Sequence, residues 1–143
     1  MTGEQGRIYA VDIQAEMLKM LRQRAMDDGV RNITPVLSTA SDAKLPKRKM
    51  DLILLVDVYH EFSHPEEMLR DMREALAPDG LCALVEFRAE DPNVPIKPEH
   101  KMTKVQLTKE LNANGFKLAR EFDGLPWQHM MWFEADSEDE KDK

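Results

Sequence analysis

Three acidic residues stand at or near the ends of apolar runs: Asp12 after RIYAV, Asp57 after DLILLV, and Glu86 inside LCALVEF. A carboxylate accepts at about four lone-pair sites, so one at a strand end suits the two hydroxyls of a ribose. A second carboxylate deeper in a cleft suits a cationic ligand group. The segments 57–64, 88–102 and 123–128 carry Tyr59, His60, Phe62, Arg88, His100 and Trp127, with His129 just beyond. Each acid also has a plain structural alternative. Asp12 caps the helix that starts near Gln14, Asp57 is a satisfied turn residue, and Glu86 pairs with Arg88 or a lysine.

His60-Glu61-Phe62-Ser63-His64 matches the pattern H-E-x-x-H. In a zinc helix that pattern needs both histidines on one helical face. Pro65 directly follows His64 and pushes it out of helical geometry. In a continuing helix its ring would also clash with the carbonyl of Glu61. The segment therefore reads as a strand-to-helix loop, with no metal expected, and His60 as a residue within reach of substrate. Cys82, between apolar neighbours in a strand, reads as an inert buried thiol. Lys44, Lys47, Arg48 and Lys49 read as a solvated loop.

The elements that position these residues follow from periodicity. RIYAVD reads as a strand, and Met17, Leu18, Leu21 and Ala25 mark one face of a helix over 14–28, closed by Gly29. Residues 32–38 read as a short strand in which Pro35 marks an edge or an irregularity. DLILLV is apolar at every side-chain position after Asp51, the pattern of a strand covered on both faces. Pro65, with Glu66 and Glu67, opens a second helix through about residue 76. Pro78-Asp79-Gly80 signals a turn before a strand over 81–87. Residues 89–102 form a long polar loop. Thr103 and Gln106 have capping-box spacing and open a helix to about Asn114, closed by Gly115. Strands near 116–122 and 128–134 make an antiparallel hairpin. Such alternation predicts an α/β sandwich with a mostly parallel sheet. In such sheets ligands bind beyond the carboxyl ends of the strands, where the three acids lie.

Composition narrows the classes. In 143 residues, 42% are apolar and 33% charged, which suits a folded domain rather than a disordered chain. The longest apolar runs, such as 52–56, are far short of a membrane span. Before Arg7 there is no apolar stretch of the secretory kind, so a cytoplasmic protein is expected. One cysteine excludes an internal disulfide. A net charge of −7 disfavours nucleic acid as a partner. Residues 1–135 read as one domain, and 136–143, DSEDEKDK, as an acidic disordered tail.

GRIYAVDIQAEML, LSTASDAKLP and DLILLVDVYHEFSHPEEMLRDMREALAPDGLCALVEFR, taken in order, resemble the class I S-adenosylmethionine-dependent methyltransferases over residues 6–134. The resemblance implies a Rossmann-like sheet with an antiparallel last strand, and S-adenosylmethionine as methyl donor. It implies that Asp12 holds the ribose and Ile13 packs on the adenine. Thr39, Ala40 and Asp42 would line the adenine, and Asp57 and His60 would lie near the methionine part and the substrate. The methyl acceptor is expected to be a small molecule, with His60 as general base, His129 second, and Tyr59 and Trp127 walling its pocket.

The chain departs from the family at one point. The family's first strand, with its G-x-G-x-G turn, should precede residue 6, and no two glycines here are two apart. That strand is central in the family, between those ending at Asp12 and Asp57. Without it both strands expose unpaired backbone at an apolar edge. Three outcomes are expected: a shortened form of a longer protein, direct pairing of the two strands, or a homo-oligomer in which another chain completes the sheet. The alternative function is a degenerate, non-catalytic methyltransferase fold serving as a binding or assembly module.

Overall fold

A computed structural model describes residues 2–136. β1 (Ile8–Asp12) leads through α1 (Ala15–Asp27) to β2 (Ile33–Leu37), and the two strands pair in parallel. β3 (Met50–Val56) leads through a short 3-10 turn at Tyr59–Glu61 and α2 (Pro65–Ala75) to β4 (Leu76–Arg88), again in parallel. β5 (Lys101–Met102), α3 (Lys104–Ala113), β6 (Phe116–Phe122) and β7 (Gln128–Ala135) complete the chain. β7 runs antiparallel to both β4 and β6. The mixed, mostly parallel α/β architecture with its antiparallel hairpin is the expected one.

The caps explain the helix boundaries. Gly29 takes φ +68° after α1, and the Val30 N–H reaches back to the Ala25 carbonyl at 2.8 Å. Pro65 occupies the first turn of α2. The Thr103 hydroxyl accepts from the Gln106 N–H at 3.0 Å at the start of α3.

The strands form two sheets. One holds β1 and β2; the other has the order β3-β4-β7-β6, with β5 beside the end of β4. β1 and β3 do not pair with each other, so the expectation of direct closure fails. Residues of both strands line one cleft instead. The main core lies almost wholly on the larger sheet, where Leu69, Met72, Leu107, Leu111, Phe116 and Phe133 pack between α2, α3 and the strands. Tyr9 touches this core from β1.

Several expectations need correction. β3 is not covered on both faces: Met50 and Ile53 are buried, but Leu52, Leu54 and Val56 are about half exposed, because β3 borders the cleft. In α1 only Leu18 is buried; Met17 stays 49% exposed because the helix rests on a two-stranded sheet. Pro78-Asp79-Gly80 does not precede β4 but forms an irregularity within it. Met50 pairs with Leu76 and Leu52 with Leu81, so the intervening residues bulge. β5, within the expected loop, takes the edge of β4 at Phe87 and Arg88, beyond the last β3 pairing at Val85. Asp136, assigned to the tail, is tied to Gly115 through its N–H at 2.8 Å, and its carbonyl accepts from Arg73 at 2.9 Å. Residues 137–143 of that tail lie outside the described residues. No helix among the described residues is long and apolar enough to cross a membrane.

Candidate functional site

The segments following β1, β2 and β3 converge on a cleft of about 490 Å³. Asp12, Ile13 and Gln14 line it after β1, Ser38, Thr39 and Ala40 after β2, and Val58, Glu61, Phe62 and Ser63 after β3. Leu52 and Leu54 form part of its apolar wall. Asp12 Oδ1 accepts from the Gln14 N–H at 2.8 Å, an Asx turn into α1. Its role at the helix start is therefore real, yet Gln14 is the cap residue, and the Asp12 carboxylate still borders the cleft. Ile13 is 56% exposed beside it.

This chemistry fits S-adenosylmethionine. A strand-end carboxylate with lone pairs to spare can accept from two ribose hydroxyls. The neighbouring Ile13 and Ala40 offer apolar surface to a base. Asp42 does not line the cleft; its Oδ1 accepts from the Lys44 N–H at 2.8 Å in a turn of its own. Asp57 also turns away. It sits at φ +54°, a strained conformation for a non-glycine residue, with its N–H on the Val85 carbonyl at 2.8 Å. Its carboxylate accepts from Gln128 Nε2 at 2.9 and 2.7 Å.

A second cavity of about 200 Å³ shares Phe62 with the cleft and is otherwise lined by Tyr59, His60, Pro65, Met102 and Glu110. Here the structure brings together a group that the sequence did not. Glu86, fully buried on β4, accepts from the His60 backbone N–H at 3.1 Å and faces His60 Nδ1 at 2.7 Å. Burial pushes the Glu86 carboxyl above its usual range, and the hydrogen bonds from His60 pull back only part of the way. His60 is nearly buried, and its Nε2 faces His100 Nδ1 at 3.4 Å and Glu61 Oε1 at 3.9 Å.

The pairing of Glu86 with Arg88 does not occur. Arg88 clasps the hairpin turn instead, donating to the Asp123 and Leu125 carbonyls at 3.0 and 2.9 Å. Tyr59 is buried and donates to Glu110 at 3.0 Å, so it walls the smaller cavity from behind. Burial first, and then Glu110, push its hydroxyl far above the usual tyrosine range. His64 faces Ser63 Oγ at 2.9 Å, away from His60, in keeping with its expected place outside a helical histidine pair.

Trp127 is 51% exposed and lines neither cavity. His129 is buried beneath the rim, with Nε2 on Glu90 at 2.8 Å and Nδ1 lacking a partner among the described residues. Burial works against ionisation of Glu90, but the Lys104 N–H and His129 outweigh it and hold the carboxyl below its usual range. Sequence reasoning missed Glu86 as the partner of His60, and missed Gln128 and Glu90. For Glu86 a signal was present: a charged residue inside LCALVEF must find a partner if that strand is buried.

Residues 1–80 match the family described as "Methyltransferase domain". A ubiquinone/menaquinone biosynthesis C-methyltransferase, UbiE, of Paraburkholderia phymatum is 33% identical over 86 residues, covering 59% of this chain. The chain spans only 35% of that relative's length. A SAM-dependent methyltransferase from Aquifex aeolicus superposes with a TM-score of 0.85 at 22% identity, covering 93% of this chain and 71% of its own. An O-methyltransferase from neocarzinostatin biosynthesis, solved with S-adenosyl-L-homocysteine and 1,4-dihydroxy-2-naphthoic acid, superposes at 0.74 and 15% identity, covering 89% of this chain and 41% of its own. By the extent of the domain match, with the fold in agreement, the chain belongs to the class I S-adenosylmethionine-dependent methyltransferase family.

Proposed function

We propose that this domain transfers a methyl group from S-adenosylmethionine to a small-molecule acceptor, with the donor in the larger cleft and the acceptor in the adjoining cavity. The observation that carries the reading is the Glu86–His60 pair, which fixes one imidazole in the wall of the smaller cavity, next to the Phe62 that both spaces share. Asp12 holds the ribose hydroxyls, and Ile13, Thr39 and Ala40 line the base. When bound, the donor supplies a methyl group activated on a sulfonium. Asp57 and Gln128 line neither space and are paired with each other rather than with the donor.

The rest falls to the chain's own side chains. With its Nδ1 proton on Glu86, His60 presents an unprotonated Nε2 and can accept a proton from an acceptor hydroxyl or acidic carbon. The buried Glu86 carboxylate then stabilises the imidazolium that forms and holds its orientation. Tyr59, fixed by Glu110, and Phe62, which meets it edge-on at 5.7 Å, keep the acceptor side apolar. Positioning and exclusion of water are the chain's main contributions.

The test is calorimetric titration with S-adenosylmethionine. Loss of charge-assisted hydrogen bonds worth about 1.5–3 kcal/mol should weaken binding about 10- to 100-fold in Asp12→Ala. Unchanged affinity would remove the ribose role.

The free edges of β1 and β3 on one cleft favour a second reading, in which the domain is an assembly module and a second copy adds a strand there. A stable oligomer without donor binding would select it.

A further inference from the structure

We propose that His60, His100 and Glu61 form a binding site for a borderline divalent transition metal, of which zinc is the best fit. The juxtaposition does not use the H-E-x-x-H pattern, because His64 is directed to Ser63 and the second imidazole comes from the loop before β5. The ligand atoms of His60, Glu61 and His100 lie within 4.8 Å of one another.

The distances suit a tetrahedral ion. Zinc–imidazole bonds of about 2.0–2.1 Å at tetrahedral angles set neighbouring ligand atoms about 3.3–3.4 Å apart. His60 Nε2 and His100 Nδ1 are already 3.4 Å apart. That separation is long for a hydrogen bond between two ring nitrogens, so nothing strong competes for the space. Glu61 Oε1, at 3.9 Å from His60 Nε2, sits on a side chain 62% exposed, and closing the remaining half ångström takes only a rotamer adjustment. His100 is exposed on a 3-10 turn at Pro98–His100 and is equally free to settle.

Glu86 supplies the feature that separates this cluster from a chance gathering of polar side chains. A metal-binding histidine needs its second nitrogen protonated and anchored, usually on a carboxylate, so that the first is a lone pair with fixed direction. Glu86, fully buried and 2.7 Å from Nδ1, provides that anchor. Two imidazoles and one carboxylate make three protein ligands, leaving one position for water or a ligand atom. Imidazole-rich ligation favours zinc, copper or nickel over magnesium or calcium.

Metal and proton would be alternative occupants of His60 Nε2. That consequence rests on the reading of His60 as a base; the metal site itself does not. The test uses the metal alone, without donor or acceptor, and is therefore independent of the catalytic reading. Chelator-treated protein is titrated with Co²⁺, followed by its visible absorption, and then with Zn²⁺ in a calorimeter. The expected result is one equivalent bound with a four-coordinate cobalt spectrum that zinc abolishes. Glu86→Gln should weaken binding about 10- to 100-fold by loosening the anchor, with the far-UV circular dichroism unchanged. His100→Ala and Glu61→Gln should weaken it at least as much, and His64→Ala should leave it intact. Absence of binding, binding indifferent to His100→Ala, or loss on His64→Ala would each overturn the site.

Discussion

Replacing His60 by alanine tests whether Glu86 is held as a buried, paired carboxylate. In the native protein Glu86 accepts one bond from the His60 ring and one from the His60 backbone, at 2.7 and 3.1 Å. The substitution removes the first and leaves the second. Stranding a buried charge completely costs about 3–5 kcal/mol. Two features lower that figure here. The backbone N–H remains, and the cavity of about 200 Å³ beside His60 lets water reach the exposed carboxylate. The loss of one charge-assisted bond, about 2–3 kcal/mol at pH 7, is the better expectation.

For a domain of this size each kcal/mol corresponds to about 3–4 °C, so the melting temperature should fall by about 6–12 °C. The diagnostic variant adds Glu86→Gln to His60→Ala. If the damage is an unpaired charge, the neutral amide restores at least about 1 kcal/mol. Urea unfolding followed by circular dichroism, with chelator present, measures both. A loss under about 0.5 kcal/mol in the single variant, or a further loss in the double, would refute the buried pair as described.

Two further perturbations address the frame around the site. A Cβ on Gly80 would lie 2.4 Å from the Met50 carbonyl oxygen and 3.1 Å from that of Ala77, so Gly80→Ala should cost about 1–3 kcal/mol in urea unfolding by forcing the β4 bulge open. Glu90, held below its usual range by the Lys104 N–H and His129, contributes stability that is present above the ordinary glutamate pKa and lost as pH falls through its folded value. Glu90→Gln should therefore flatten the acid limb of the stability curve; an unchanged slope between pH 5 and pH 3 counts against the contact.

The elements were legible because their signals are local. Gly29, Pro65, Thr103 and Gly115 each act within one turn of the chain, and each does at its boundary what its chemistry predicts. Burial was less legible because it depends on neighbours far away in sequence. DLILLV has the composition of a doubly covered strand, but coverage on the β1 side is incomplete, so Leu52 and Leu54 stand open. Pro78-Asp79-Gly80 carries a sound turn signal, and Leu76–Met50 pairing overrides it by extending the strand past it. At the site, Asp12 and His60 could be named from their places after strands. Their partners could not, because Gln128 reaches Asp57 across 71 residues and Glu110 reaches Tyr59 across 51. Asp57 shows the cost of reasoning by position alone: the residue stands on the expected edge, but its carboxylate is occupied by an amide.

The two halves of the site rest on bodies of unequal strength. Asp12 and Ile13, at the end of β1, and Thr39 and Ala40, after β2, are carried by β1, α1 and β2, whose main buried side chain is Leu18. His60 and Glu86 belong to the larger sheet, which contains nearly the whole core. Local stability follows buried apolar contact and paired backbone, so the amides of β1 and β2 should exchange with solvent well before those of β4 and β7. A ligand spanning the cleft touches both bodies and must raise protection in β1 and α1 more than in β4. Hydrogen exchange with and without S-adenosylmethionine measures this directly. Equal protection of the two sheets in the free protein would show that something other than the visible core holds β1 in place, and would remove the reason to expect the donor to order it.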